Sequence, residues 1–170
     1  MTTPSAGRGD DTRRRSPQWP LLLLLLVLCY AVAAVGGLAA ADAGDVYASL
    51  ERPAWAPPSW LFGPVWTVLY ATIAVSAWLA LRRQEFARVR AAALAWSAQL
   101  LFNLLWTPLF FGAGRYGLAL LDICLLLAAL AATMVLFRRR SRGAFLLLVP
   151  YALWVLYASA LNLALWLLNP

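Results

Sequence analysis

Five long apolar stretches, four without any charged residue and one with a single acid, Asp122, dominate this chain of 170 residues and limit what it can fold into. The first runs for 26 residues between Arg15 and Asp42, and the last runs for 28 residues from Gly143 to the C-terminus. A helix of about 20 residues spans the hydrocarbon core of a membrane. Continuous Leu, Ala and Trp runs without two-residue alternation favour helices over a β-barrel. The sequence therefore predicts an all-α integral membrane protein, a bundle of five transmembrane helices.

The apolar stretches divide the chain into a tail and a membrane domain. We expect residues 1–18 to be a disordered cytoplasmic tail and residues 19–170 to form the domain. Its predicted helices cover residues 19–41, 64–81, 91–112, 116–137 and 144–168, and a long loop, residues 42–63, joins the first two. Arg13–Arg15 before the first stretch also resemble the start of a secretory signal. The apolar region is about twice the usual length, which favours a retained helix.

The distribution of arginine predicts the orientation of the bundle. The chain has 14 arginines and no lysine, and 12 of them lie in the tail, the loop between helices 2 and 3, and the loop between helices 4 and 5. Because cytoplasmic loops are enriched in basic residues, we expect a cytoplasmic N-terminus and an external C-terminus in a bacterial cell membrane. These arginines are not interleaved with aromatic residues on one face, so no nucleic-acid partner is expected.

The composition excludes several kinds of catalytic and metal site. The chain has no histidine, which rules out a histidine-ligated metal or haem and a histidine-based triad. Cys29 and Cys124 both lie inside apolar stretches and lack the spacing of a metal or redox pair. We therefore predict no metal site and no required cofactor.

Polar and aromatic side chains recur at helical spacing in four predicted helices, at similar depth near the external end. Gln99, Asn103 and Trp106 illustrate this, because they share one face of helix 3. Polar groups in hydrocarbon are costly unless paired, so these side chains should face the bundle interior. One interpretation is that the polar ones only hold helices together, at about 0.6–2 kcal/mol each. The other is an aromatic ligand pocket, formed by Trp66, Tyr70, Asn103, Trp106, Asp122, Trp154, Ala158 and Asn162.

The loop before helix 2 is rich in proline and tryptophan. Four prolines within residues 52–64 disfavour a regular helix and favour stiff, extended backbone. A stiff segment loses little entropy on ordering and can pack Trp55, Trp60 and Phe62 over the mouth of the bundle. We therefore expect a lid rather than a simple connector, with Arg52, Pro53, Trp55, Pro57, Pro58 and Trp60 as its residues.

Ordered motifs across residues 19–170 resemble the tryptophan-rich sensory protein/translocator protein (TspO/MBR) family, formerly the peripheral-type benzodiazepine receptors. The first motif is Arg52-Pro-x-Trp-x-Pro-Pro-x-Trp, followed by Gly-Pro-Val-Trp66-x-x-Leu-Tyr70. The second is Gln99-x-x-x-Asn-x-x-Trp-x-x-x-Phe-Phe-Gly112. Helix 4 carries Leu-Asp122, and helix 5 carries Pro-Tyr-x-x-Trp154 and Leu-Asn162.

The resemblance implies a five-helix receptor or transporter-like protein, often a homodimer, that binds tetrapyrroles such as protoporphyrin IX. Its pocket residues would correspond to Trp66, Asn103, Trp106, Trp154 and Ala158, with Tyr70, Phe110 and Asp122 nearby. Trp66 and Trp154 match positions implicated in light- and oxygen-dependent porphyrin breakdown, so they are candidate catalytic residues. A sterol partner is disfavoured, because nothing after Arg142 is basic and Leu163 stands where the sterol pattern has tyrosine. A structural or partner-regulating dimer is the remaining alternative.

Overall fold

The structure is a computed structural model that describes residues 18–39, 41–82 and 86–170. The predicted tail lies outside the described residues, apart from Gln18. The α-helices are α1 (Trp19–Ala39), α2 (Ala43–Ser49), α3 (Phe62–Leu81), α4 (Phe86–Thr107), α5 (Tyr116–Arg138) and α6 (Arg142–Leu168). All except α2 are long and apolar enough to cross a membrane. This confirms the predicted all-α membrane fold with five spanning helices.

Two helices, α2 and α4, differ clearly from the expected boundaries. Residues 43–49, placed in the loop by the sequence, form the two-turn helix α2, because the prolines of this segment begin only at residue 53. Helix α4 begins five residues earlier than expected, and its first turns contain Arg88 and Arg90. Long arginine side chains near a helix end can extend their charge to the membrane interface, so these charges do not end the helix.

The end of α4 widens into a π-helical turn over Pro108–Gly112. Pro108 has no N–H, so it donates no bond to the carbonyl of residue 104 and interrupts the α-helical ladder. The carbonyl groups of the turn itself accept from donors five or six residues further along the chain. The amide of Ala113 donates to Pro108 O, at 2.8 Å, and the amide of Arg115 donates to Leu109 O, at 3.0 Å. The turn brings Phe110 and Phe111 against the end of α4.

The five spanning helices form a closed ring in which α1 packs on α3 and α4, α3 on α6, α6 on α5, and α5 on α4. Helices α3 and α4 contact each other sparingly, and α1 lies across the space between them. The outward faces are apolar, as Leu24, Val27 and Leu38 of α1 show. Because lipid is as apolar as leucine, helix association rests on packing and on buried hydrogen bonds. One such bond joins α3 to α6, where Ser76 Oγ donates to Ala144 O at 2.8 Å.

Antiparallel packing separates the connections into two ends. The basic end holds the α3–α4 and α5–α6 connections, and its described arginines are Arg82, Arg88, Arg90, Arg138, Arg139, Arg140 and Arg142. There the Arg82 guanidinium lies 4.2 Å from the centre of the Trp78 ring, and Trp78 Nε1 donates to Gln18 O. The loop end holds α2, the segment of residues 50–61, the α4–α5 connection and the C-terminus.

The segment of residues 50–58 is held on the loop end by side chains from α2, α6 and the C-terminus. Asn169 makes two bonds to the Glu51 backbone, accepting from its N–H and donating to its carbonyl, each at 3.0 Å. Tyr157 OH donates to Trp55 O at 3.0 Å, and Tyr47 OH donates to Pro57 O at 2.9 Å. A segment with little regular secondary structure is thus fixed at three points along its length.

We predict that Asn169→Ala loosens this segment without disturbing the bundle. The substitution removes both bonds to Glu51, and each contributes about 0.5–1.5 kcal/mol. Hydrogen–deuterium exchange of residues 50–57 should accelerate roughly tenfold, while the spanning helices keep their protection. Ser49→Ala, which removes only a bond inside α2, is the control. Unchanged exchange in Asn169→Ala would show that the segment is held by other contacts.

Candidate ligand-binding site

A cavity of about 410 Å³ occupies the space between α1, α3 and α4, beneath α2. We call it the principal cavity. Its volume lies within the range of about 300–1,000 Å³ that is typical of small-molecule sites. Its aromatic lining consists of Tyr30, Tyr47, Phe62, Trp66, Tyr70, Trp106 and Phe111. Small and polar residues complete the wall, among them Ala33, Gly36, Gly37, Gly63, Thr67, Asn103 and Thr107.

A chain of buried hydrogen bonds forms the polar part of this site. Tyr70 OH of α3 donates to Asn103 Oδ1 of α4. Asn103 Nδ2 donates to Tyr151 OH of α6 at 3.0 Å, and Tyr151 OH donates to Gln99 Oε1 at 3.0 Å. All four side chains are buried. These bonds connect three spanning helices and give each of the four side chains a partner, as a low-dielectric interior requires, while Gln99 Nε2 has none.

The two indole rings of the principal cavity are held differently. Trp106 stacks on Phe110 with ring centres 5.0 Å apart, and its Nε1 donates to Asn162 Oδ1 at 3.0 Å. Asn162 Nδ2 in turn donates to Tyr116 O, so this ring is tied to both α5 and α6. Trp66 instead packs between rings, 5.5 Å from Tyr70 and 6.1 Å from Tyr151.

A much smaller inner cavity, about 20 Å³, lies on the other side of these rings toward α5 and α6. Its wall shares Phe62, Trp66, Asn103 and Trp106 with the principal cavity and adds Ile123, Leu126, Trp154, Val155 and Ala158. Its volume is about that of one water molecule. The Trp154 Nε1 atom is buried and has no hydrogen-bond partner in the structure. Trp66 and Trp154, the candidate catalytic residues, thus line one cavity.

The structure divides the predicted pocket residues into three groups. The principal cavity is lined by Trp66, Tyr70, Asn103 and Trp106. The inner cavity, but not the principal one, is lined by Trp154 and Ala158. Phe110 and Asn162 lie behind Trp106 and line neither cavity; their contacts hold its ring in place. Asp122 is 6% exposed, lines neither cavity, and leaves Oδ2 without a hydrogen-bond partner.

The predicted lid residues also have different positions. Trp55 packs edge-on against Tyr157, with ring centres 5.7 Å apart, and Pro57 is buried. Arg52 lies over the Tyr47 ring at 5.1 Å. Burial raises the pKa of Tyr47, and the nearby guanidinium partly opposes that rise.

The expectation that Trp60 packs over the mouth of the bundle is corrected by its exposure. This side chain is 70% exposed and lies in the middle of the short helical turn Ser59–Leu61. Successive residues of such a turn point in different directions, so Trp60 and Phe62 do not share a face. Phe62 is the ring that turns inward, with its centre 5.4 Å from Tyr47 and 6.0 Å from Trp154.

Helix α1 contributes a wall that the sequence analysis did not assign to the site. Ala33, Gly36 and Gly37 lie at helical spacing in a leucine-rich helix, and their small side chains leave room for the principal cavity. Tyr47 and Tyr151 were also absent from the predicted site, although Tyr151 joins two α4 side chains. The spacing of small residues in α1 was the available signal, but small residues also fit close helix packing.

We predict that Tyr151→Phe destabilises the bundle more than Tyr157→Phe does. The first substitution leaves Asn103 Nδ2 and Gln99 Oε1 buried without partners, at a cost of about 1–3 kcal/mol. The second removes one bond to Trp55 O at the partly exposed loop end. Thermal unfolding in detergent compares the two variants directly. If the unfolding temperature falls no more in Tyr151→Phe than in Tyr157→Phe, the buried hydrogen bonds do not have the stabilising role proposed for them.

Comparison with known proteins agrees with this architecture. Residues 25–167 match the model of the TspO/MBR family. The chain is 37% identical to Protein CrtK of Rhodobacter capsulatus over 160 residues, which cover 88% of this chain and 93% of that protein. It is 38% identical to the tryptophan-rich protein TspO of Chlorobaculum tepidum over 157 residues, 88% and 96% of the two chains. The human translocator protein is 38% identical over 122 residues, 71% of this chain and 72% of the human protein. The chain belongs to the TspO/MBR family of membrane proteins.

Proposed function

We propose that this receptor-like membrane protein binds a planar tetrapyrrole such as protoporphyrin IX and couples its binding to sensing or transport. The observation that carries the proposal is the principal cavity, which combines a volume of about 410 Å³ with a largely aromatic wall. Family membership adds support, since one relative, 37% identical over 151 residues, is named a tryptophan-rich sensory protein. An aromatic wall with few polar groups suits a flat, mostly apolar ligand.

The wall offers both stacking surfaces and a position for acidic substituents. A flat macrocycle against Trp66 or Trp106 gains about 0.5–1.5 kcal/mol per ring pair beyond the burial of area. The amide of Asn103 and the indole N–H of Trp106 already have partners inside the bundle. Arg52, which lies over the ring of Tyr47 at the loop end, is the cation best placed to meet a carboxylate. We therefore assign the acidic edge of the ligand to the loop end.

Protoporphyrin IX titration of the purified protein in detergent, monitored by tryptophan fluorescence in the dark, tests the proposal. We expect saturable quenching, and a Kd that rises about 2- to 10-fold in Trp66→Phe because a stacking partner is reduced. Trp60→Phe is the matched control, since that ring is exposed away from the cavity. Quenching that does not saturate, or equal effects of the two substitutions, would contradict binding in the principal cavity.

We also propose that the basic end faces the cytoplasm and the C-terminus lies outside. Its described arginines come from two connections, whereas Arg52 and Arg115 are the described arginines of the loop end. This asymmetry matches the enrichment of basic residues in cytoplasmic loops.

Thiol labelling in intact cells tests this orientation, in a Cys124→Ser background. A membrane-impermeant maleimide should label Ser49→Cys directly and Arg139→Cys only after the membrane is opened, because both positions are exposed but lie at opposite ends. The reverse labelling pattern would overturn the orientation.

A further inference from the structure

We propose that the ligand enters the principal cavity sideways from the lipid, through a gap between α1 and α3 near the loop end. The α1–α3 gap is bordered by Tyr30, Gly37, Gly63 and Thr67, all of which line the cavity and are exposed. The inference rests on the proposed function and adds the route and the physical class of the ligand. That class is a planar amphiphile that partitions into the membrane before it binds.

Neighbouring glycines of α1 show which flank of the cavity is open. Gly36 is buried, and a Cβ atom at this position would lie 3.6 Å from Thr107 Oγ1 of α4, so the α1–α4 flank is in van der Waals contact. A Cβ atom at Gly37 would meet nothing within 4 Å, and the same holds at Gly63 of α3. The space between α1 and α3 at this level is therefore unfilled by the protein.

A hydrogen bond between the two helices closes the gap at its inner limit. Tyr30 OH donates to Thr67 O at 3.0 Å and ties α1 to α3 toward the middle of the membrane. Seven residues separate Tyr30 from Gly37, which is about 10 Å along an α-helix. The opening is thus bounded at its inner end, and the Trp66 ring lines the cavity that it enters.

The aqueous side of the cavity is covered by α2 and the segment after it. Tyr47 is only 2% exposed, lines the cavity and is bonded to Pro57 O. The segment beyond it is tied to Asn169 and Tyr157. Gly44 and Ser59 also line the cavity and are exposed, so a path from water past this bonded segment is the alternative to the α1–α3 gap.

Binding kinetics in vesicles test the route, with protoporphyrin IX preloaded in the lipid as the probe. We expect Gly37→Leu to slow both association and release roughly tenfold, because the added side chain narrows the path in both directions. A leucine that only took up cavity volume would instead weaken binding and speed release. Ala31→Leu is the matched control, since Ala31 is exposed on α1 and does not line the cavity. Equal rates for Gly37→Leu and Ala31→Leu would overturn the proposal.

A crosslinked variant tests the alternative route through the loop end. In a Cys124→Ser background, Glu51→Cys with Asn169→Cys places two thiols where the native side chain of Asn169 contacts the Glu51 backbone. We expect association to be the same before and after a short bifunctional thiol reagent joins them. Slower association after crosslinking would overturn lateral entry. Absence of saturable binding in the unmodified protein would instead contradict the proposed function itself.

Discussion

The requirement that polar side chains inside a lipid-spanning bundle satisfy one another determines the arrangement of this protein's interior. Tyr70, Asn103, Tyr151 and Gln99 meet most of that requirement with one series of hydrogen bonds across α3, α4 and α6, which leaves Gln99 Nε2 without a partner. Helices α3 and α4 contact each other sparingly, and the Tyr70–Asn103 bond links them across the space where a ligand cavity lies. The buried polar residues thus hold the helices together and shape the cavity, so the two interpretations of these residues are compatible.

The principal cavity also depends on two features outside this series of hydrogen bonds. Small residues of α1 leave volume against α3 and α4, and α2 with the segment after it covers the loop end. Two indole rings form part of the wall and are held in different ways. Trp106 is fixed by a hydrogen bond to Asn162, whereas Trp66 is held by packing against tyrosine rings. Such a site suits the flat ligand that we propose, and the cationic Arg52 lies over the Tyr47 ring at the loop end.

The fold could be predicted from sequence because hydrophobic length is a local property of the chain, and each spanning helix has its own apolar stretch. The shared face of Asn103 and Trp106 follows from helical periodicity alone. Periodicity does not say which neighbouring helix a face meets. The contribution of α1 and the central position of Tyr151 therefore could not be derived. Of the loop rings expected over the mouth, Phe62 turns inward, whereas Trp60 is exposed. The role of Asn162 as a support for Trp106 likewise depends on how α4, α5 and α6 are rotated.

The central claim is that the ligand sits among the interior rings of the bundle, and NMR of the tryptophan indole N–H groups tests it most directly. Ring currents of bound protoporphyrin IX should shift the Trp66 and Trp106 signals strongly. Trp19 and Trp60, which are exposed on the outside of the bundle, should keep their shifts. Shifts confined to Trp19 and Trp60, with Trp66 and Trp106 unchanged, would show that the porphyrin lies on the surface and would contradict the account.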